Sequence, residues 1–124
     1  MLKGKNVVVT GGGRGIGRGI TEQLLEAGAS VVIAQRQALE DDLRDHPQVY
    51  FVEADLASME SPGLIAQFAQ EQLGGIDVLV NNAGYGHEGI FEESSLDEMR
   101  RQFDVNVFGP VAVTKAFLPY FRKR

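Results

Sequence analysis

The sequence contains no cysteine and only two histidines among its 124 residues. Without cysteine the chain has no disulfide framework, no thiolate nucleophile and no zinc site built from thiolates. The two histidines, His46 and His87, stand alone, without the spacing of metal ligands. We therefore expect no metal site, and the lack of cysteine is compatible with a reducing compartment.

Basic residues are outnumbered by acidic ones, with 12 Lys and Arg against 17 Asp and Glu and a net charge of −5. This balance argues against nucleic acid or an anionic membrane as the main partner. The basic residues at positions 122–124 are too few to reverse it and are typical of a solvated helix end.

Long apolar runs are also missing. The run near the N-terminus covers only residues 7–9, which is too short for a signal peptide. No stretch reaches the ~18 apolar residues that a membrane helix requires. These absences predict a soluble, cytoplasmic protein without a membrane partner.

Glycine, by contrast, is in excess. The chain has 15 glycines, and six of them lie between Gly11 and Gly19. Glycine is therefore about 12% of the residues, against an ordinary ~7%. Because the excess is local, it indicates a site.

Short β-branched runs alternate with amphipathic stretches along the chain. The four runs are residues 6–10, 30–34, 49–52 and 76–80. Continuous apolar runs separated by helices are typical of strands buried on both faces. The pattern predicts a single α/β domain with a doubly wound parallel sheet.

Helix termini are indicated at several places. Ser61-Pro62 has the form of an N-cap followed by proline at the first helical position. The sequence from Ser95 to Glu98 has the form of a capping box and opens a long helical stretch. Gly109-Pro110 lies inside that stretch, where we expect a kink.

Ligands of such sheets bind outside the carboxyl ends of the strands. The stretches that follow the predicted strands are residues 10–17, 35–36, 55 and 81–84. The first has the spacing Gly11-x-x-x-Gly15-x-Gly17, which lets backbone N–H groups approach a phosphate at a helix N-terminus. A glycine-rich turn without a ligand is the alternative. A P-loop is disfavoured, because Arg18-Gly19 replaces the Lys-Ser/Thr pair.

Four motifs resemble the short-chain dehydrogenase/reductase family. Residues 10–17 (TGGGRGIG) are similar to its TGxxxGIG fingerprint, and residues 81–84 are its NNAG motif. Asp55-Leu56 matches its adenine-contacting acid, and Asn106 matches the asparagine of its catalytic tetrad. The motifs occur in the family's order and cover essentially the whole chain.

The resemblance implies a Rossmann-type fold and a role for each matching residue. Asp55 would accept a hydrogen bond from the adenine amine, unless it only forms a turn after the strand. Asn106 would hold a water of the proton relay, unless it only satisfies a kinked helix. The implied cofactor-binding residues are Gly11, Gly13, Arg14, Gly15, Ile16, Gly17, Gln35, Arg36, Asp55, Leu56, Asn82, Ala83 and Gly84.

The stretch after the second strand bears on the choice of cofactor. An acid there would bind the ribose 2′-OH and select NAD, but the sequence reads Ala34-Gln35-Arg36. Arg36 can pair with a 2′-phosphate, and Arg14 could approach the same group. We predict NADP(H) in preference to NAD(H), with a solvent-facing Arg36 as the alternative.

The family's chemistry also needs a serine and a Tyr-x-x-x-Lys motif. None of the three tyrosines, Tyr50, Tyr85 and Tyr120, has lysine four residues later. The resemblance therefore implies an oxidoreductase for a carbonyl or secondary alcohol substrate, with its proton-relay residues outside these 124 residues. A non-catalytic dinucleotide-binding module is the alternative. An open fourth strand predicts either a longer natural chain or a homo-oligomer.

Overall fold

The computed structural model describes residues 2–82, 95–103 and 109–122. Strands and helices alternate along most of this length. In chain order the elements are β1 (Asn6–Thr10), α1 (Gly15–Glu26), β2 (Ser30–Gln35), α2 (Asp41–Arg44), β3 (Val49–Glu53), α3 (Ser61–Leu73), β4 (Val78–Val80), α4 (Leu96–Phe103) and α5 (Gly109–Arg122).

The strands form one parallel sheet in the order β3-β2-β1-β4. Val8 is aligned with Val32 on one side and with Leu79 on the other, which places β1 in the centre of the sheet. The chain moves outward from β1 to β3 and then crosses to the opposite side of β1. This reversal between β1 and β4 makes the sheet doubly wound and Rossmann-like, as the sequence predicts.

Alternate residues of the strands supply two separate cores. Val7, Val9 and Ile33 belong to one core, which includes Leu39 and Leu43 beside α2. On the opposite face, the second core is formed with α3 and α5; its members include Val8, Val32, Ile65, Ala69, Val113 and Phe117. Both faces of the sheet are therefore covered, which explains the continuous apolar runs.

Helix ends agree in part with the sequence. The N–H of Glu98 donates to Ser95 Oγ at 3.0 Å, which confirms the cap at the start of α4. The prediction for Ser61 is wrong by one position: Glu60 is the N-cap of α3, and Ser61 is already helical. The Ser61 hydroxyl instead donates to the Asp55 carbonyl at 2.7 Å, which ties α3 to the end of β3.

One further prediction, the extent of the fourth strand, is corrected. The fourth strand is shorter than the predicted 76–80 and comprises only Val78–Val80. The kink expected at Gly109-Pro110 stays a prediction: α5 is described from Gly109 onward, and the residues directly before it are not described. Residues 104–108 lie outside the described part of the chain.

Of the two edges of the sheet among the described residues, the one formed by β4 carries an exposed apolar side chain. There β4 pairs with β1 alone, and Val78 is 43% exposed. On α5, Val111 and Leu118 are also exposed. In the same part of the chain, no helix combines the length and apolarity needed to cross a membrane.

Replacing Ile65 by alanine is expected to lower the free energy of unfolding by roughly 2–5 kcal/mol, because it opens a cavity in the core. Ile65 is fully buried, whereas its neighbour Leu64 on the same helix is 55% exposed. The matched control Leu64→Ala should therefore cost less than about 1 kcal/mol. Urea unfolding followed by circular dichroism measures both. Equal losses would contradict the packing described for α3.

Candidate functional site

The carboxyl ends of β1 and β4 are joined by a small hydrogen-bond network. The backbone N–H of Asn82 donates to Thr10 Oγ1 at 3.0 Å. The Asn82 side chain donates from Nδ2 to the Gly11 carbonyl at 3.3 Å. Asn82 thus connects the segment after β4 to the start of the glycine turn, at the point where the strand order reverses. Ligands of doubly wound sheets bind at this point.

The glycine turn, residues 11–14, leads from β1 into α1. Gly11 and Gly15 have positive φ angles of 68° and 55°, which other residues rarely adopt. The turn is held from both sides: the Gly11 N–H donates to the Ala34 carbonyl at 2.8 Å, and the buried Thr21 hydroxyl donates to the Gly12 carbonyl at 2.8 Å. Its backbone is therefore fixed by contacts to β2 and to α1.

Gly17 packs against the beginning of the same turn. A Cβ atom on Gly17 would lie 2.1 Å from the Gly11 carbonyl oxygen and 2.3 Å from Asn82 Nδ2. Only glycine allows this approach, which brings the first turn of α1 against the ends of β1 and β4. The third glycine of the fingerprint is therefore required by packing.

The N-terminus of α1 is suited to an anion. Arg14 is its N-cap residue, is exposed and makes no side-chain cap hydrogen bond, and the first turn contains no acid. Ile16 in that first turn is 81% exposed. Unpaired N–H groups at a helix N-terminus attract phosphate, and Ile16 offers apolar surface next to them.

Gln35 is buried at the end of β2, with only 7% of its surface exposed. Its Oε1 accepts the Gly13 N–H at 2.8 Å, and its Nε2 donates to the Gln37 carbonyl at 2.8 Å. The Gln35 side chain, which the sequence predicts to bind the cofactor, is therefore hydrogen-bonded to the protein's own backbone.

Arg36 and Asp55 lie together beside an open cavity of about 560 Å³. Arg36 Nε is 3.8 Å from Asp55 Oδ2, and both side chains are accessible. Asp55 Oδ1 accepts the Ala57 N–H at 2.9 Å, so the turn considered as an alternative does form. The cavity is lined by Arg36, Gln37, Glu53, Ala54, Asp55, Ser58 and Ser61.

The other predicted site residues are less informative. Leu56 is 9% exposed and belongs to the core beneath α3. Ala83, Gly84 and Asn106 lie outside the described residues. The structure therefore brings together the glycine turn, Gln35 and Asn82, with Arg36 and Asp55 at the cavity.

Arg18 lies beside the site and makes contacts that the sequence does not predict. From α1 it reaches Glu22 at 3.8 Å, Glu40 at 3.6 Å and Asp42, with which it forms a hydrogen bond. That hydrogen bond lowers the pKa of the Asp42 carboxyl and raises the pKa of Arg18. The acids between β2 and β3 are thus partly neutralised. No single-sequence signal links position 18 to 40 and 42.

Thr10, inside the glycine fingerprint, and Thr21 make contacts that the sequence likewise does not predict. Both are buried, with exposures of 1% and 0%. The only sequence signal for Thr21 is its position. It is a polar residue on the face of α1 that packs against the sheet. Among the described residues, no group of three acidic or histidine side chains could hold a metal ion.

Comparison with known proteins agrees with this geometry. A family model described as short chain dehydrogenase matches residues 5–124. The chain is 38% identical over 126 residues to an L-fucose dehydrogenase of Bos taurus, covering 97% of this chain and 46% of that protein. It is 39% identical to dehydrogenase/reductase SDR family member 7B of Mus musculus, covering 99% of this chain and 41% of that protein.

Solved structures show the same similarity. A 3-ketoacyl-(acyl-carrier-protein) reductase from Brucella melitensis, complexed with NADH, superposes with a TM-score of 0.89 at 30% identity, covering 99% of this chain and 52% of that one. A ligand-free aldohexose dehydrogenase from Thermoplasma acidophilum gives 0.86 at 32% identity, covering 99% and 46%. The chain thus spans about half the length of these relatives. It belongs to the short-chain dehydrogenase/reductase family and corresponds to the N-terminal half of its members.

Proposed function

We propose that this protein is an NADP(H)-dependent oxidoreductase and that residues 1–124 form the dinucleotide-binding part of its catalytic domain. The observation that carries the proposal is the combination of a glycine turn at the strand-order reversal with an uncharged β2 terminus. A bound nicotinamide would supply or accept the hydride exchanged with a carbonyl or secondary alcohol carbon. The substrate class follows from the family alone.

The glycine turn and α1 would hold the pyrophosphate. Gly11 and Gly15 let the backbone turn, and the N–H groups at the start of α1 can donate to phosphate oxygens. The close packing of Gly17 against Gly11 keeps this cradle narrow. Ile16 would cover an apolar part of the cofactor with its exposed side chain. Asn82, with Ala83 and Gly84 after it, would line the adenosine ribose side.

The surroundings of Arg36 favour a cofactor whose adenosine ribose carries a 2′-phosphate. A carboxylate at the end of β2 would select NAD, but the buried side chain there is the neutral amide of Gln35. Arg36 is 57% exposed beside the cavity, and Asp55 partly balances its charge. Arg36 and Arg14 could both pair with a 2′-phosphate, whereas Asp55 would bind the adenine.

The proton relay is proposed to need a serine, a tyrosine and a lysine that lie outside these 124 residues. Asn106 would position a water, and no tyrosine of the chain is followed by lysine at the fourth position. That observation also keeps the non-catalytic dinucleotide-binding module as a second candidate. Cofactor binding with no turnover on a panel of carbonyl compounds would favour the module.

The remaining parts of the proposal concern the surroundings of the protein. We propose a cytoplasmic protein that associates with copies of itself. The open edge of β4 and the exposed apolar residues of α5 support association, since either surface gains from being covered.

Calorimetric titration with NADPH and NADH tests the cofactor assignment. NADPH should bind more tightly, because only it carries the phosphate that Arg14 and Arg36 can pair with. The same titration with 2′,5′-ADP and 5′-AMP isolates the adenosine end. Tighter binding of NADH would overturn the assignment.

A further inference from the structure

The Gln35 side chain connects two loops that each carry an arginine. Its Oε1 accepts the N–H of Gly13, which directly precedes Arg14. Its Nε2 donates to the carbonyl of Gln37, which directly follows Arg36. One buried carboxamide thus bridges the glycine turn and the loop after β2.

The fit between Gln35 and Gly13 is mutual. A Cβ atom on Gly13 would lie 2.7 Å from Gln35 Oε1 and 2.8 Å from Leu39 Cδ2. The absence of a side chain at position 13 therefore makes room for the Gln35 amide. Leu39, 6% exposed, closes the same space from the other side. A larger residue at position 13 or at position 39 would push the glycine turn and the loop after β2 apart.

Both hydrogen-bonding functions of Gln35 are occupied within the protein. The amide is also neutral and buried, so it adds no charge beside a phosphate. Arg14 and Arg36, in contrast, are exposed. Gln35 is therefore placed to act on a ligand through these neighbours rather than by touching it.

We propose that Gln35 is a positioning residue that sets the separation of the loops carrying Arg14 and Arg36, so that both guanidinium groups reach one phosphate of the ligand. This inference rests on the proposed function, because the phosphate is the 2′-phosphate of the dinucleotide. It deepens that function, because it assigns part of the affinity difference between NADPH and NADH to a side chain that does not itself touch the cofactor.

The test begins with Gln35→Met, which keeps an unbranched side chain of similar length and removes both hydrogen bonds. In the cofactor-free protein the Gly13 amide should exchange with solvent at least roughly tenfold faster, because its acceptor is gone. NADPH affinity should fall roughly tenfold and NADH affinity less than about threefold, as expected for two lost hydrogen bonds that act on one phosphate subsite.

The matched control is Gln67→Met. Gln67 is exposed on α3, and its Nε2 donates only to Glu71 Oε1, at 2.9 Å, among the bonds of that side chain shown by the structure. This change should leave Gly13 exchange and both affinities unaltered. An equal loss of NADPH and NADH affinity in Gln35→Met, or no loss, would overturn the inference, since a merely structural role affects both cofactors alike.

A double-mutant cycle with Gly13→Ala keeps the inference testable should Gln35→Met unfold. Gly13→Ala alone should displace the Gln35 amide and selectively weaken NADPH. In the Gln35→Ala background the same change should have a smaller effect, because the Gln35 amide is gone and, of the three atoms nearest the added Cβ, only Leu39 Cδ2 remains. Strictly additive effects would contradict the mutual fit. The proposed NADP(H) preference and the positioning role of Gln35 can fail separately. The preference is judged from the two affinities of the unaltered protein, and the positioning role from the change that a variant makes in the ratio of NADPH to NADH affinity.

Discussion

Replacing Gly17 by alanine is expected to abolish measurable NADPH binding and to lower the free energy of unfolding by roughly 3 kcal/mol. The added Cβ would lie 2.1 Å from the Gly11 carbonyl oxygen. That oxygen belongs to the backbone of the glycine turn, which contacts to β2 and α1 already hold in place. The turn or α1 must therefore shift, and either movement displaces the N–H groups that would receive the pyrophosphate.

Gly19→Ala provides the matched control. Gly19 lies in the same helix, α1, and an added Cβ there meets no atom within 4 Å. Because alanine favours a helix over glycine, this variant should be more stable by about 0.5–1 kcal/mol and should bind NADPH normally. Urea unfolding and calorimetric titration measure both variants. Normal NADPH affinity in Gly17→Ala would contradict the assignment of the glycine turn as the phosphate cradle.

Replacing Arg36 by leucine is expected to weaken NADPH binding by about 10–100-fold and NADH binding by no more than about threefold. A hydrogen bond between charged groups is worth about 1.5–3 kcal/mol, and only NADPH offers the 2′-phosphate that would form it. Leucine keeps part of the aliphatic volume and removes the guanidinium. Calorimetric titration of the variant with both cofactors measures the two affinities.

Arg44→Leu controls for the loss of a positive charge. Arg44 is 59% exposed, close to the 57% of Arg36. It pairs with Asp41 of α2 and with Asp45, the C-cap residue of that helix, and it does not line the cavity. Its replacement should leave the NADPH to NADH ratio unchanged. If Arg36→Leu also left that ratio unchanged, Arg36 would be the solvent-facing residue that the sequence allowed as an alternative.

Much of the fold could be predicted because it depends on local pattern. Runs such as Val7–Val9 are apolar at every position. A strand needs apolar residues at every position only when both faces of its sheet are covered. Gly28 and Gly74 have positive φ angles at the ends of α1 and α3, where glycine is the residue that most readily ends a helix. The order of strands and helices and the position of the glycine turn follow from such signals.

Boundaries that depend on competing partners were predicted less well. Ser61 has the sequence of an N-cap, yet its hydroxyl bonds to Asp55, six residues earlier. At Ser61 the local sequence permits two conformations, and the contact with the segment after β3 selects one.

The sequence by itself determined that this protein has a parallel α/β sheet, a glycine-rich turn between β1 and α1 and no acid after β2, because these depend on residue type and short spacing. Only the tertiary structure decided what Gln35 and Arg18 do. Gly13 and Gln35 are 22 residues apart, and Arg18 and Asp42 are 24 apart. Such contacts exist because the parallel register of β1 and β2 brings the turns after them to one edge of the sheet, and no local pattern carries that register.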